Sequence, residues 1–575
     1  MSDSVICVST SPQFRLWPVL AVLLGPLVTV ALAQAESSTA GQATGGAQGQ
    51  GRGDGLAPAI RLENPRKWRS ESQSVTLSLE EALEVALRHN LGLSAAEGQT
   101  EIARLDAMGS WGAFDPVLSA RAELMDRERE GNSSLSGASL LEEDSQSFSS
   151  SLLWPVRTGA DFSLSYARTN NRTNNQFATF DVSTTDVVTA MVTQPLLKGA
   201  WERFATTSQR QSEVVMQRTE AAEQQVRQQL LLDVYNAYWD LVSARDQLDV
   251  SIVTYELGQQ QLLQDQRRLE VGAGTEVDVL QSETNLAQSW EQLLQSANSI
   301  LAGEDALREL LFQSQPSESG DLSEALTGWD WPIIPSTSLP EVNADDVSSL
   351  SNGGVDTGAW RASLAKALRS RPELAQARFD VEASEVQLER SVSDRRAQLD
   401  LELTASSAGF DVDPGDAFSD AAGFDFPEYR GALVFSLPLG NRTAKNANRS
   451  ARAALRNAKL AYDTRELEIL SNVRGAVREV RFRAIAATAA ETSRDLAERQ
   501  LAAEQARQRN GLSTTFQVLE FQKTSSEARS NERAARAAYA KALAGLRFSE
   551  GVLGDDLQVV AEEQLPESQV PPDED

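Results

Sequence analysis

Residues able to carry out covalent or metal chemistry are scarce in this chain. Cys7 is the only cysteine and His89 the only histidine. Cys7 precedes the apolar run Leu16 to Leu32, so loss of that run as an export signal removes the one thiol with it. The remaining residues exclude a disulfide scaffold, a Cys/His nucleophile pair and a multi-histidine metal centre. His89 sits beside Asn90 near a predicted helix end, where a surface or capping role is the ordinary one. No Gly-Lys-Ser/Thr loop is present to cradle a phosphate, so any ATP hydrolysis belongs to a partner. Carboxylates are abundant, yet on a helix-rich chain they usually form solvated faces. The sequence therefore reads as no enzyme, with no cofactor and no bound metal.

Charge narrows the partners further. With 82 acidic and 53 basic residues the net charge is −29, which repels a polyanion, so nucleic acid is not an expected partner. Residues 1–35 read as a secretory signal peptide. Arg15 supplies the positive flank, Pro18, Gly25 and Pro26 interrupt the apolar run, and Ala31-Leu32-Ala33 or Ala33-Gln34-Ala35 offers a small-residue cleavage site. A membrane anchor is the competing reading of a run that is short and holds two prolines. Cys7 lies on the wrong side of it for lipid attachment at a mature N-terminus. No later segment offers about 18 consecutive apolar residues, so any membrane crossing must use a β-barrel.

Residues 36–74 are rich in Gly, Gln and Ser and form an expected disordered leader. Folding starts near Val75. Ser78-Leu79-Glu80-Glu81 has the form of a capping box that opens an amphipathic helix with Leu83, Ala86 and Leu87 on one face. An internal repeat organises the chain from there on. Ala86-Leu87-Arg88 through Leu93 matches Ala367-Leu368-Arg369 through Leu374 at an offset of 281. Gln194-Pro195-Leu196 aligns with Leu437-Pro438-Leu439 at 243, and Gly272-Ala273-Gly274-Thr275 with Gly511-Leu512-Ser513-Thr514 at 239. Residues 75–312 and 359–555 thus form two structural repeats, each a helix, a strand block, a long helix, a turn and a helix. A linker at 313–358 joins them and carries the short apolar patch Trp329 to Ile334, and an acidic tail, 556–575, closes the chain. The fall in offset makes the first strand block about 38 residues longer, for which an extra hairpin is the simple explanation.

The strand blocks alternate with a period of two. Phe148, Ser150, Leu152, Trp154 and Val156 share one face, Phe162, Leu164 and Tyr166 alternate with Ser163, Ser165 and Ala167, and Leu399, Leu401 and Leu403 alternate with Asp400, Glu402 and Thr404. A transmembrane barrel and a soluble sandwich both produce this pattern. Trp154, Phe162, Tyr166 and Trp201 are candidates for an interfacial aromatic belt, with core packing as the alternative. Arg203 to Leu269 holds no proline and predicts one helix about 100 Å long. Val234, Leu241, Leu248, Tyr255 and Leu262 recur every seven residues, and Leu230, Ala237, Ala244, Ser251 and Gly258 each stand four residues earlier. That is a coiled-coil seam whose small residues allow close approach, and Val473, Ala476 and Val480 repeat its start in the second half. Gly-containing turns at 271–274 and 510–513 fold each long helix back as a hairpin.

Four segments now resemble one family: Leu79-Glu80-Glu81-Ala82-Leu83, Gln194-Pro195-Leu196-Leu197-Lys198-Gly199, Ser436-Leu437-Pro438-Leu439-Gly440-Asn441-Arg442 and the tip Gly274 to Leu280. Together and in order, they make residues 75–555 similar to the TolC-like outer-membrane efflux protein family. The resemblance implies an α+β membrane protein with internal duplication. Its trimeric transmembrane β-barrel sits in outer-membrane lipid of a Gram-negative-type envelope, and a long α-helical coiled-coil barrel continues it into the periplasm. It further implies the exit duct of a tripartite efflux or type I secretion system, a homotrimer coupled through a periplasmic adaptor protein to an inner-membrane transporter. Family members usually contribute four strands each, a number the longer first block puts in question. In the family, two acidic residues three apart on the second tip ring the pore. The matching positions here are Gln517 and Glu520, with Asp278 of the first tip as the candidate to restore the missing charge. Gly272, Gly274, Thr275, Gly511 and Ser513 are the expected adaptor contacts. The alternatives are a periplasmic adaptor, whose hairpin would divide a lipoyl-like domain, and a structural envelope coiled coil, which would lack strand blocks.

Overall fold

The computed structural model describes residues 74–131, 137–311, 332–342 and 359–554. The expected signal at 1–35, the leader up to residue 73 and the tail at 556–575 lie outside them. After the short β1 (Val75–Leu77), α1 (Leu79–His89) opens on its capping box. Ser78 Oγ accepts the Glu81 N–H at 3.2 Å, while the Ser78 N–H donates to Glu81 Oε2 at 2.7 Å. The Ser78 hydroxyl also donates to Glu81 Oε2 at 2.8 Å, and the backbone N–H first, then this hydroxyl, hold the Glu81 carboxyl below its ordinary pKa. His89 is the exposed last residue of α1. Asn90 ends that helix and caps α2 (Leu91–Ser110): its carboxamide oxygen accepts the Leu93 N–H at 3.0 Å, and its NH2 donates to the Leu310 carbonyl at 3.2 Å.

Four strands come next: β2 (Val117–Glu130), β3 (Leu140–Pro155), β4 (Asp161–Thr173) and β5 (Val182–Pro195). The second half supplies β7 (Gln398–Asp411) and β8 (Pro427–Ser436) to the same sheet, whose order is β2-β3-β4-β5-β7-β8 with every neighbour antiparallel. The β2–β3 hairpin accounts for the longer first block, since Val117 to Pro155 has no partner element in the second. The segment read as a linker or equatorial segment with limited structure holds one short element among its described residues. Within it β6 (Ile333–Pro335) pairs in parallel with β1, and Ile333 is buried. The reason is that backbone groups beside a buried core need partners. The Val75 N–H donates to the Pro332 carbonyl at 2.9 Å, and Tyr238 Oη donates to the Leu77 carbonyl and accepts the Thr337 N–H, both at 3.1 Å.

The helices continue with α3 (Glu202–Ala205), α4 (Thr207–Glu270), α5 (Glu276–Leu311), α6 (Ala359–Ser370), α7 (Pro372–Asp394), α8 (Pro414–Gly423), α9 (Arg442–Arg509) and α10 (Thr515–Glu550). At about 1.5 Å per residue α4 and α9 span roughly 96 and 102 Å. The single helix expected from Arg203 is broken near its start. Trp201 adopts φ 71°, and Thr206 Oγ1 donates to the Glu202 carbonyl at 2.7 Å, closing α3 as a separate turn. Arg203 and Arg210, on either side of the break, both bind Glu389 of α7, the latter at 2.8 Å. The Arg203 hydrogen bond foremost holds the Glu389 carboxyl below its usual value, against an opposing effect of partial burial.

The core is thickest midway along α4, where Leu230, Val234, Tyr238 and Leu241 meet Leu83 and Ala86 of α1 and Leu307 and Leu311 of α5. Each large side chain buried there stabilises by about 1.5–3 kcal/mol. Toward the tip the seven-residue pattern changes character. Leu248, Tyr255 and Leu262 are half-buried, whereas Ser251 and Gly258 are buried against α5. The Ser251 and Ser296 hydroxyls stand 2.8 Å apart, and a Cβ on Gly258 would lie 3.5 Å from Leu286 Cδ1. Small residues face α5 because those backbones are close, while α4 meets α10 on another side through Thr254 and Ser526 at 2.7 Å.

Candidate channel surfaces

Alternation along the strands sorts the sheet into two unlike faces. One carries Leu118, Phe148, Leu164, Leu403, Leu433 and Phe435, all exposed. The other carries Ser119, Ser149, Ser151, Ser165, Thr189 and Ser406. A sandwich would cover the apolar face with a second sheet; among the described residues only the short helix α8 lies on the far part of this sheet. β2 to β5, with 14, 16, 13 and 14 residues, are longer than the roughly 9–11 that a tilted membrane strand requires. Both outer edges, β2 and β8, are unpaired among the described residues.

The aromatic candidates fall at two levels. Trp154 and Phe162 are cross-strand partners at the end of the apolar face nearest the helices. Trp201 is exposed, and its main-chain N–H donates at 3.1 Å to the carbonyl of Thr158 in the turn between β3 and β4. Tyr166 lies four residues further along β4, about 13 Å away. Its ring packs 6.4 Å from Phe148 and edge-on to Phe418 of α8 at 5.8 Å. Beneath it Asp186 is fully buried, accepting from Tyr166 Oη at 2.8 Å and from both Nε and Nη2 of Arg168 at 2.8 and 2.7 Å. Arg168 also donates to the Pro414 carbonyl at 2.8 Å, which fastens α8 to the sheet. Gly409 permits that approach, because a Cβ there would stand 1.9 Å from the Ala417 carbonyl oxygen.

At the first tip Gly272 takes φ 71°, and the Ala273 and Gly274 N–H groups both donate to the Arg268 carbonyl, at 2.7 and 3.0 Å. Thr275 then caps α5. Asp278 is committed to that cap, its Oδ2 accepting the Thr275 N–H at 3.0 Å and hydroxyl at 2.7 Å. At the second tip Gly511 takes φ 75°, and the Thr514 hydroxyl accepts the Gln517 N–H at 3.3 Å. Ser513 Oγ hydrogen-bonds the Glu504 carboxylate and lies 3.0 Å from Gln517 Oε1. Glu520 is exposed, one turn further along α10. Asp278 and Gln517 therefore occupy equivalent cap positions of their two helices, while Glu520 points its charge into solvent.

The outer membrane efflux protein family matches residues 160–311 and 364–552 of this sequence, more than half of its length. The chain belongs to that family. Among solved structures, the outer-membrane channel OprN is 16% identical, with 84% of this chain and 94% of that one covered and a TM-score of 0.58. The Campylobacter jejuni CmeC outer membrane channel is 15% identical, with 86% and 93% covered and a TM-score of 0.58. The Vibrio cholerae outer membrane protein VceC is 15% identical, with 82% and 96% covered and a TM-score of 0.57. At such identities the likeness is one of fold. Comparison with curated proteins by sequence finds no match. No helix among the described residues is long and apolar enough to cross a membrane.

Within this family fold the sequence reading missed the polar group that joins the two tips. Asp265 of α4 is 1% exposed, and its carboxylate accepts from Ser282 of α5 at 2.6 Å, Gln261 at 3.0 Å and Thr515 of α10 at 3.1 Å. Arg268 stands 3.9 Å away. A signal was present. Asp265 is the next seven-residue step after Ser251 and Gly258 on the small-residue seam, where a charge is out of place. Its counterpart at the offset of 239 is Glu504, 5% exposed, which binds Ser513 and, at 3.2 Å, Arg507. Each long helix thus carries one buried acid just before its turn.

Proposed function

We propose that this chain is the outer-membrane channel of a tripartite efflux or type I secretion assembly, a passive conduit that works as a homotrimer. The observation that carries the reading is the six-stranded sheet, apolar and exposed on one face, hydroxyl-rich on the other, and, among the described residues, open at both edges. In hydrocarbon an unpaired strand edge is untenable, and one sheet of this size cannot curl into a wide pore alone, so copies must complete the wall. The apolar face then meets lipid of a Gram-negative-type outer membrane, and the hydroxyl face lines water. Twice-used helical hairpins extend the duct into the periplasm. Their tips, through Gly272, Gly274, Thr275, Gly511 and Ser513, meet a periplasmic adaptor that links the duct to an inner-membrane transporter, the source of energy. Glu520 is the charge at the periplasmic constriction, flanked by Gln517, whereas the cap engagement of Asp278 reduces its part there. OprN and CmeC are described as outer-membrane channels, which accords with the same role.

The test is purification in detergent without the signal, measurement of mass by light scattering, and reconstitution in planar bilayers. Three chains per particle and discrete conductance steps are expected. A water-soluble monomer that leaves the bilayer silent would overturn the reading.

A further inference from the structure

The sheet holds more strands than the repeat requires. β4–β5 and β7–β8 lead into the two long helices at equivalent places, whereas β2–β3 has no counterpart and lies outside the residues that match the family. Yet it is built into the same wall. Pairing runs unbroken from Val117↔Leu153 to Glu130↔Leu140, and on from Pro155↔Asp161 to Glu143↔Thr173. The two-faced pattern continues over the helix-proximal half of β2, with Leu118 and Leu124 on the apolar side and Ser119 and Glu123 on the other, and gives way beyond it to charge on both sides, Asp126 and Glu128 opposite Asp144 and Glu142.

We propose that β2 of each copy pairs with β8 of the next, so that three six-stranded sheets close an eighteen-stranded barrel. This rests on the homotrimer proposed above. β2 runs away from the helices and β8 toward them, so the joint is antiparallel like every other pair in the sheet. The register is set by the geometry. Across one sheet Val117 stands level with Leu153, Ser163, Met191, Thr404 and Arg430. With strands tilted about 35–45°, ~3.3 Å per residue and ~4.8 Å per strand, the next copy's Val117 meets β8 about six to eight residues beyond Arg430. A period of two allows only even steps. A step of about six sets Val117 against Ser436, which brings Leu118 to Phe435 and Leu124 to Tyr429 on the apolar face, and Glu123 to Arg430 on the hydroxyl face. A step of about eight would instead oppose Asp126 to Tyr429 and Met125 to Arg430, so the first register is the one the side chains select. The ring is then about 34 Å across between backbones, against about 22 Å for the twelve strands left without the hairpin, a cross-section about 2.4 times as large.

Cysteine pairs in the full chain test this. Ser119→Cys with Val434→Cys and Ala120→Cys with Leu433→Cys sample adjacent positions of the joint, one of them of the closer, non-hydrogen-bonded kind. Ser163→Cys with Val434→Cys is the equivalent pair if β2–β3 stands aside and β4 meets β8 of the next copy. After oxidation in membranes, a non-reducing gel should show covalent oligomers up to the trimer for at least one of the first two pairs, about tenfold above the third. Cross-linking through the third pair alone would overturn the wide barrel while leaving the trimeric channel intact. A particle that is trimeric and conducting, yet cross-links through none of the pairs, would also refute the β2–β8 joint. Monomers throughout would refute both readings.

Discussion

Asp265 offers a quantitative test of how the two hairpins hold together at their tips. Hydrogen bonds to a charged group contribute about 1.5–3 kcal/mol each, but of the three Asp265 receives only that from Thr515, at 3.1 Å, crosses from one hairpin to the other. Thr515→Val should therefore loosen the tips by about 1.5 kcal/mol, and Asp265→Ala, which also strands buried Ser282 and Gln261, by about 3 kcal/mol. Amide hydrogen exchange reads this locally, since about 1.4 kcal/mol corresponds to a tenfold faster rate when exchange follows local opening. Amides at 258–282 and 508–522 should exchange about tenfold faster in Thr515→Val and about a hundredfold faster in Asp265→Ala. Those around Tyr238, in the apolar core of α4, should not change. In the double variant Thr515→Val should add almost nothing, because its partner has gone. If its effect is the same with and without Asp265, the bond does not join the hairpins and the reasoning fails.

Other expectations are simpler. Glu520→Gln should alter single-channel conductance or its block by multivalent cations; an unchanged channel would place Glu520 away from the constriction. Leu403→Arg, on the exposed apolar face, should cost about 2–4 kcal/mol in lipid, whereas Ser406→Arg on the opposite face should leave assembly intact and change ion selectivity; equal tolerance of both would contradict the assignment of faces. Glu389 has a folded pKa below its ordinary 4.5, so its contribution to stability is complete above that value and is lost as pH falls through the lower folded one. The melting temperature of Glu389→Gln should consequently lie below that of the parent chain at pH 7 and converge with it in strong acid. A gap that persists there would locate the effect elsewhere.

Much of the helical half was legible because its determinants are local. The capping box at Ser78, the proline-free run into α4 and the glycine turns at 272 and 511 each act over a few residues, so side-chain types and spacing predict them. Where a local rule met a tertiary constraint the prediction slipped. The helix expected from Arg203 is interrupted at Thr206, whose hydroxyl bonds back to the Glu202 carbonyl, while Arg203 and Arg210 on either side of the break share one carboxylate of α7. Ile333 to Pro335 lie in the segment read as a linker or equatorial segment with limited structure, and which three residues of it pair with β1 was set by that distant strand and by Tyr238. The alternation of Leu and Ser in the strands showed two unlike faces but not what covers them. That required the strand order, which among the described residues shows one sheet with no second sheet upon it.

Periodicity and repeat spacing by themselves determined the two hairpins, the two-faced strands and the surplus of about 38 residues in the first block. Tertiary structure alone decided that the surplus joins the same sheet, that β2 and β8 are its outermost strands among the described residues, and that Asp265 bridges to Thr515. The physical reason is distance along the chain. Caps, turns and seven-residue seams are interactions between near neighbours, whereas strand order and a bond between residues 265 and 515 depend on which distant segments the folded backbone brings side by side.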